Sequence, residues 1–192
     1  MRQVENFKKI VSAYDLDQNN LITAELEGQL VKKSDLELCD RKNFIGHFTA
    51  SAFIISKDTK DVLLVFHKAL QRYVQPGGHI EIKDSSPLEA AKRELFEETK
   101  ITKDQVTYHQ VTKDPLVPFN IAYHDIPENK QKNEASHHHY DLQYLFLTSN
   151  DLDVMLDPNE SEGYEWVSFE KFKTLPAFSN IANKIEELIE DK

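Results

Sequence analysis

The sequence predicts a layered α/β domain preceded by a helical segment, and three observations carry that prediction. The first forty residues show helical spacing with no strand alternation. From residue 44 onward, strand-like runs bounded by polar turns follow one another. Two helices stand among those strands, one at about 86–100 and one from about 179, and strands mixed with helices give an α/β architecture. With 192 residues the chain fits one domain with an appendage and buries a proper core. Residues 1–43 are assigned to the helical extension and 44–192 to the α/β domain.

The elements follow in order. Val4, Phe7, Val11 and Tyr14 recur at three- and four-residue spacing, and Ile22, Leu26 and Leu30 recur every fourth residue, which predicts two helical segments. "DLDQNN" from Asp15 imitates the start of a calcium loop. Asn20 and Leu26 stand where such a loop needs glycine and a bidentate glutamate, so no calcium site is expected. "HFTASAFIIS" and "DVLLVFH" flank the polar turn "KDTKD", a hairpin pattern. "YVQPGGHI" reads as a strand interrupted by a Gly-Gly turn. The next helix has a marked start: Ser86 can cap it, Pro87 suits its first position, and Glu89 stands three residues after the cap. Leu88, Ala91 and Leu95 form its core stripe. "QVTYHQV", "PFNIAYHDIP", "HHHYDLQYLFLTS" and "YEWVSF" are strand candidates, and a final helix places Ile181, Ile185, Leu188 and Ile189 on one face.

Composition excludes several function classes. Hydrophobic content of 40% and charged content of 29% are those of a globular protein. No apolar run approaches the roughly 20 residues that span a bilayer. The N-terminus lacks the apolar centre of a secretory signal, and the single Cys39, read as a plain buried or half-buried thiol, agrees with a reducing compartment. A cytoplasmic protein without a membrane partner is expected. The net charge of −10 argues against a nucleic-acid partner, and if the substrate is itself an anion, a cation must mediate.

"RELFEETK" supplies the chemistry. On a helix Glu94 shares a side with Glu97 and Glu98, where like charges repel, so something positive belongs between them. Arg93, one turn before Glu97, can orient that carboxylate. A plain acidic surface is the simpler account, but the cluster borders the apolar stripe and a Gly-Gly strand leads into its helix. Hard oxygen ligands suit Mg²⁺ or Mn²⁺, and Gly78, without a Cβ, lets its carbonyl approach such an ion.

"GGHIEIKDSSPLEAAKRELFEETKI", residues 77–101, resembles the Nudix box, whose usual form is Gx5Ex7REUxEExGU with U aliphatic. Gly78, Arg93, Glu94, Leu95, Glu97, Glu98 and Ile101 occupy the expected types of position. The resemblance covers roughly residues 44–190 and implies an α/β/α sandwich with a mixed sheet. It also implies Mg²⁺-dependent hydrolysis, with Mn²⁺ as a substitute ion, of a nucleoside diphosphate linked to another moiety. By it, Glu94, Glu97 and Glu98 are metal ligands, with Glu97 or Glu98 as base, the Gly78 carbonyl is a further ligand, and Arg93 orients the glutamates. The leaving moiety stays open. Two positions depart from the pattern. Asp84 stands for the first glutamate, with eight residues instead of seven before Arg93, which puts a role for Asp84 in question. Lys100 replaces the helix-ending glycine, where a left-handed residue costs about 1–2 kcal/mol, so this helix is expected to end differently.

Outside the box, alternation puts Tyr140, Leu142, Tyr144 and Phe146 on one side of a strand and His137, His139, Asp141 and Gln143 on the other. That polar row is expected to form a cleft wall, with His137, His139 and likewise His79 contacting phosphate or metal; a half-exposed, hydrogen-bonded histidine row explains it equally. Zinc is the weaker idea for these histidines, because there is no second cysteine and no Cys/His zinc spacing. Glu160 and Glu162, in the acidic loop before the last strand, are candidates for an extra ligand or base. Lys68 and Arg72 are the basic residues placed nearest the substrate, though a charged turn accounts for them as well. A non-hydrolytic nucleotide-binding sensor on the same fold is the alternative, and the N-terminal helices are free to cap the domain or to form a homodimer contact.

Overall fold

The computed structural model describes residues 7–18, 35–130, 133–149 and 152–190. The expected helical segment at Ile22–Leu30, the residue Val4 and the calcium-like positions from Asn19 onward lie outside these residues. Helix α1 (Phe7–Gln18) and a short helix α2 (Asp35–Cys39) precede the sheet. Strands β1 (His47–Ser56) and β2 (Val62–His67) form the expected hairpin, followed by β3 (Arg72–Val74) and β4 (Gly77–His79). Helix α3 (Pro87–Thr99) leads to β5 (Thr107–Tyr108), β6 (Asn120–Ile126), β7 (His137–Thr148) and β8 (Ser161–Val167). Helices α4 (Phe169–Thr174) and α5 (Ser179–Glu190) close the described chain.

The sheet is mixed. β1 and β7 run parallel over ten pairs from His47↔His139 to Ser56↔Thr148, while the other pairings are antiparallel. All ten residues of β1 are buried, because helices cover both of its faces. On one face Ala50, Ala52 and Ile54 join Ala90, Ala91 and Leu95 of α3, and Phe7, Ile10, Val11 and Tyr14 of α1 belong to the same core. The small side chains of Ala50, Ala52, Ala90 and Ala91 let the helix lie close to the strand. On the other face Phe53, Ile55 and Leu145 meet Phe169 and Phe172 of α4 and Ala182 and Ile185 of α5, with Phe178 between those two helices. The result is the expected α/β/α layering. Among the described residues no helix is long and apolar enough to cross a membrane.

One opening in the sheet positions the site. β1 and β2 pair at Ile55↔Val62 and then diverge, so β3 adds to the freed edge of β2 and β4 to the freed edge of β1. The expected Gly-Gly turn is not there. The break falls at Gln75–Pro76, since proline has no N–H to continue a ladder, and Pro76 accepts instead a hydrogen bond from Ala52 N at 2.9 Å. Gly77 and Gly78 are strand residues of β4, and neither has a positive φ. Their lack of a Cβ serves close approach. A Cβ on Gly77 would stand 2.4 Å from that of Ser51, and one on Gly78 would stand 2.7 Å from the Glu94 carboxylate carbon.

Helix α3 begins as expected, with Ser86 Oγ accepting from Glu89 N at 3.2 Å. Its end corrects the expectation: Lys100 itself adopts the left-handed cap, with φ 58° and ψ 10°, and its N–H reaches Phe96 O. The side chain offsets part of the cost, because Lys100 Nζ donates to Glu97 O at 2.9 Å and lies over the Phe96 ring.

Candidate active site and its carboxylate cluster

Arg93 organises the first group of residues. Its guanidinium donates to Asp84 through Nε and Nη2, both at 2.9 Å, and through Nη1 to Glu94 at 2.7 Å and Glu97 at 2.8 Å. Nη2 also donates to His79 O at 2.8 Å, which ties α3 to β4. Burial opposes the charge of Arg93, but hydrogen bonds to Asp84 and Glu94 outweigh it and raise its pKa. Asp84, put in question by the one-residue insertion, is buried and holds Arg93 bidentately while also accepting from Glu81 N at 2.8 Å. The extra residue is absorbed in the loop before α3. Nothing in the sequence pattern signals this, because the box spacing counts residues and not the reach of the loop.

The three glutamates have unequal surroundings. Glu97 is half exposed, held by Arg93 and 3.9 Å from Lys83 Nζ. Glu94 is mostly buried under Gly78, and burial pushes its pKa up to about 7 despite the guanidinium beside it. Glu98 is 3% exposed. Its Oε1 accepts from Gly77 N at 3.2 Å, and its buried Oε2 has no hydrogen-bond partner. Burial, reinforced by Glu160, Glu94 and Asp157, pushes the Glu98 pKa up to about 8, against the Gly77 hydrogen bond that lowers it. An unpartnered carboxylate oxygen facing further carboxylates is costly unless a cation balances it. The donor set therefore fits a hard divalent ion, with Glu94 and Glu98 best placed and the Gly78 carbonyl on the same strand.

The loop before β8 brings Glu160 to this group. Asp157 N donates to Glu98 O and Met155 N to Thr99 O, each at 3.0 Å, which occupies carbonyls that the end of α3 leaves free. Lys68 holds the other side of the loop, with its backbone N on Glu160 O and its Nζ on Pro158 O. Lys68 thus braces a loop in this structure. Arg72 is exposed on β3 and Glu162 is exposed on β8, and neither joins the group among the described contacts.

A second group lies on the other face of β4. The expected polar wall of β7 is mostly closed: Asp141 is 4% exposed and accepts from Thr49, Ser51, Gln75 and Gln143 at 2.6–3.2 Å. At its end His137 and His139 meet His79 and His47, with ring centroids 4.6–5.3 Å apart. His47 is the member that the sequence does not single out, whereas His79 and the local His137–His139 run are candidates already. Its signal is register: His47 stands opposite His139 across β1 and β7.

Comparison with known proteins agrees with this architecture. A model of the NUDIX domain matches residues 46–188. A protein of Lactococcus lactis subsp. cremoris described as a probable DHNTP pyrophosphohydrolase is 32% identical over 142 residues, 74% of this chain and 75% of that protein. Among solved structures, a NUDIX-family hydrolase from Clostridium perfringens is 26% identical with a TM-score of 0.55, covering 75% of this chain and 96% of that one. A C. elegans Ap4A hydrolase in a binary complex shares the fold, with a TM-score of 0.57 at 20% identity over 76% of this chain and 98% of that one.

Proposed function

This chain belongs to the NUDIX domain family, and we propose that Glu94, Glu97, Glu98 and the Gly78 carbonyl hold Mg²⁺, with Mn²⁺ able to replace it. The reaction is hydrolysis of a pyrophosphate bond in a nucleotide-type small molecule. One observation supports this assignment most directly: the buried, unpartnered Glu98 Oε2 beside Glu94. Held there, a divalent ion would offset the charge of the substrate phosphates and lower the pKa of the attacking water, so that a base removes its proton more easily. Arg93, anchored by Asp84, keeps Glu94 and Glu97 aimed at one place. Glu97 or Glu98 takes the proton from the attacking water. Glu160, carried by the loop fixed to the end of α3, adds negative charge to the same cluster. The ion also resolves the conflict between a chain of net charge −10 and an anionic substrate. Within the class, a nucleoside triphosphate-like compound related to DHNTP is the first substrate to try, following the relative that is 32% identical. We place this activity in the cytoplasm, in keeping with a sequence that contains one cysteine.

The test is release of phosphate, pyrophosphate and nucleotide from a panel of DHNTP, nucleoside triphosphates, nucleotide sugars and dinucleoside polyphosphates, with Mg²⁺, Mn²⁺ or chelator. Metal-dependent cleavage by the wild type is expected, reduced at least about 100-fold in Glu98→Gln. Undiminished activity in that variant would sink the assignment. Nucleotide binding without cleavage of any panel member would instead make the protein a sensor.

A further inference from the structure

Three neighbouring strands converge their imidazoles on one side of the sheet. β4, β1 and β7 lie side by side, Thr49 pairs with His79, and His47 pairs with His139. Paired residues share a face, and alternate residues along a strand do too, so His47, His79, His139 and His137 project the same way. Gly78, the neighbour of His79, turns its open side toward Glu94. The histidines therefore stand on the opposite face of β4 from the glutamates, and form a separate site.

Their hydrogen bonds prepare lone pairs. His47 is fully buried; its Nδ1–H donates to Asn43 O at 3.3 Å, and its Nε2 has no hydrogen-bond partner. His137 Nδ1–H donates to Ala135 O at 2.7 Å, so in the neutral ring its Nε2 is an acceptor. His139 Nε2 lies 3.1 Å from that atom and must supply the proton, which leaves His139 Nδ1 as a lone pair. A backbone carbonyl or a second imidazole fixing one ring nitrogen while the other points into a cluster is how metal-binding histidines are oriented. One ring nitrogen from each of His47, His79 and His139 lies within 4.8 Å of those of the other two.

We propose that His47, His79 and His139 bind one Zn²⁺ ion, with His137 as the partner that orients His139. Imidazole nitrogens suit Zn²⁺ and not Mg²⁺, so the two faces of β4 select different ions. Three protein ligands leave a fourth position for water or substrate. His79 and His139 are only partly buried, which gives an ion a way in. An ion there would stiffen β4, whose His79 carbonyl holds Arg93 and whose Gly78 borders Glu94.

The experiment uses the full chain without an affinity tag, stripped with chelator and titrated with Co²⁺ as a spectroscopic stand-in for Zn²⁺, in the presence of excess Mg²⁺. One equivalent of Co²⁺ should give visible ligand-field absorption in the wild type and equally in Glu98→Gln. Zn²⁺ should displace it stoichiometrically. His79→Gln and His139→Gln should abolish the band, and His137→Gln should weaken affinity about 10- to 100-fold. Circular dichroism establishes that each variant is folded, and in the wild type Zn²⁺ should raise the melting temperature while in His139→Gln it should not. The proposal is overturned by absence of the band in the wild type, by a band that survives both His79→Gln and His139→Gln, or by one lost in Glu98→Gln, which would place the ion on the carboxylates. These readouts do not depend on catalysis, so they stand or fall apart from the hydrolase assignment.

Discussion

Glu98 shows how a side chain proposed to serve the chemistry can be destabilising to the fold. Its folded pKa of about 8 lies above the ordinary 4.5, so the folded state binds more protons than the unfolded state between those values. Stability from this group is complete below about pH 4.5 and is lost as pH rises through 8. Glu94, raised to about 7, acts in the same direction. His79 and His139 act oppositely, because their lowered values favour the folded state above about pH 6.5 and fail below it. Between pH 6.5 and 8 the carboxylate trend prevails, and above about 8 Lys184, whose pKa burial lowers to about 8, begins to oppose it. In chelator, the melting temperature should therefore fall from pH 6.5 to 8, and the slope should flatten in Glu98→Gln, which should be more stable than the wild type at pH 8. Calorimetry across that range checks this, and a melting temperature that rises with pH in chelator would contradict the account. The grouping of Arg93, Glu94, Glu97 and Glu98 was readable from helical spacing, while Gly78, on a strand, was read from its missing Cβ and from the pattern of the box. The inequality of the three glutamates was not readable, since it depends on β4 lying over Glu94 and Glu98 and leaving Glu97 outside.

At the scale of the element, α3 carries its own test in Lys100. A left-handed Lys in place of Gly costs about 1–2 kcal/mol. Its hydrogen bond to Glu97 O and its contact with Phe96 recover a few tenths of that. Lys100→Gly should thus stabilise the protein by about 1 kcal/mol net, seen as a higher urea midpoint with an unchanged slope. No gain would mean that the side-chain contacts offset the whole cost. The elements were largely legible: the Ser86 cap, the β1–β2 hairpin and the last helix follow from capping and periodicity, which are local rules. What escaped was non-local. The sequence reading took Gly77–Gly78 as a turn from composition, but these residues are glycines because Ser51 and the Glu94 carboxylate occupy the space of a Cβ. His47, His79 and His139 are separated by 32 and 60 residues in the numbering, and the parallel β1–β7 register together with the antiparallel β1–β4 pairing brings them together.

At the scale of the whole molecule, the question is whether the N-terminal helix is an appendage. We propose that its described part belongs to the working domain. Phe7, Ile10, Val11 and Tyr14 are at most 2% exposed, and Phe7 stacks on Phe48 of β1 with ring centroids 4.4 Å apart. At roughly 1.5–3 kcal/mol for each buried apolar side chain, these four contribute on the order of 8 kcal/mol, an upper figure because an unfolded chain already buries some surface. Domains of this size are typically stable by about 5–15 kcal/mol, so the helix cannot be removed without consequence. It also reaches the interior of the sheet by hydrogen bonds. Tyr14 O–H donates to Asn120 at 3.1 Å, Asn120 donates to Gln143 at 2.8 Å, and Gln143 donates to Asp141 at 3.0 Å, on the same face of β7 as His139. Deleting residues 1–40 should therefore leave a chain that is insoluble or melts far below the full protein. Tyr14→Phe, which keeps the ring and removes only the hydroxyl, should cost about 1 kcal/mol. A truncated chain with an unchanged melting temperature would show that α1 is an appendage after all, and that Phe48 finds other cover when it is gone.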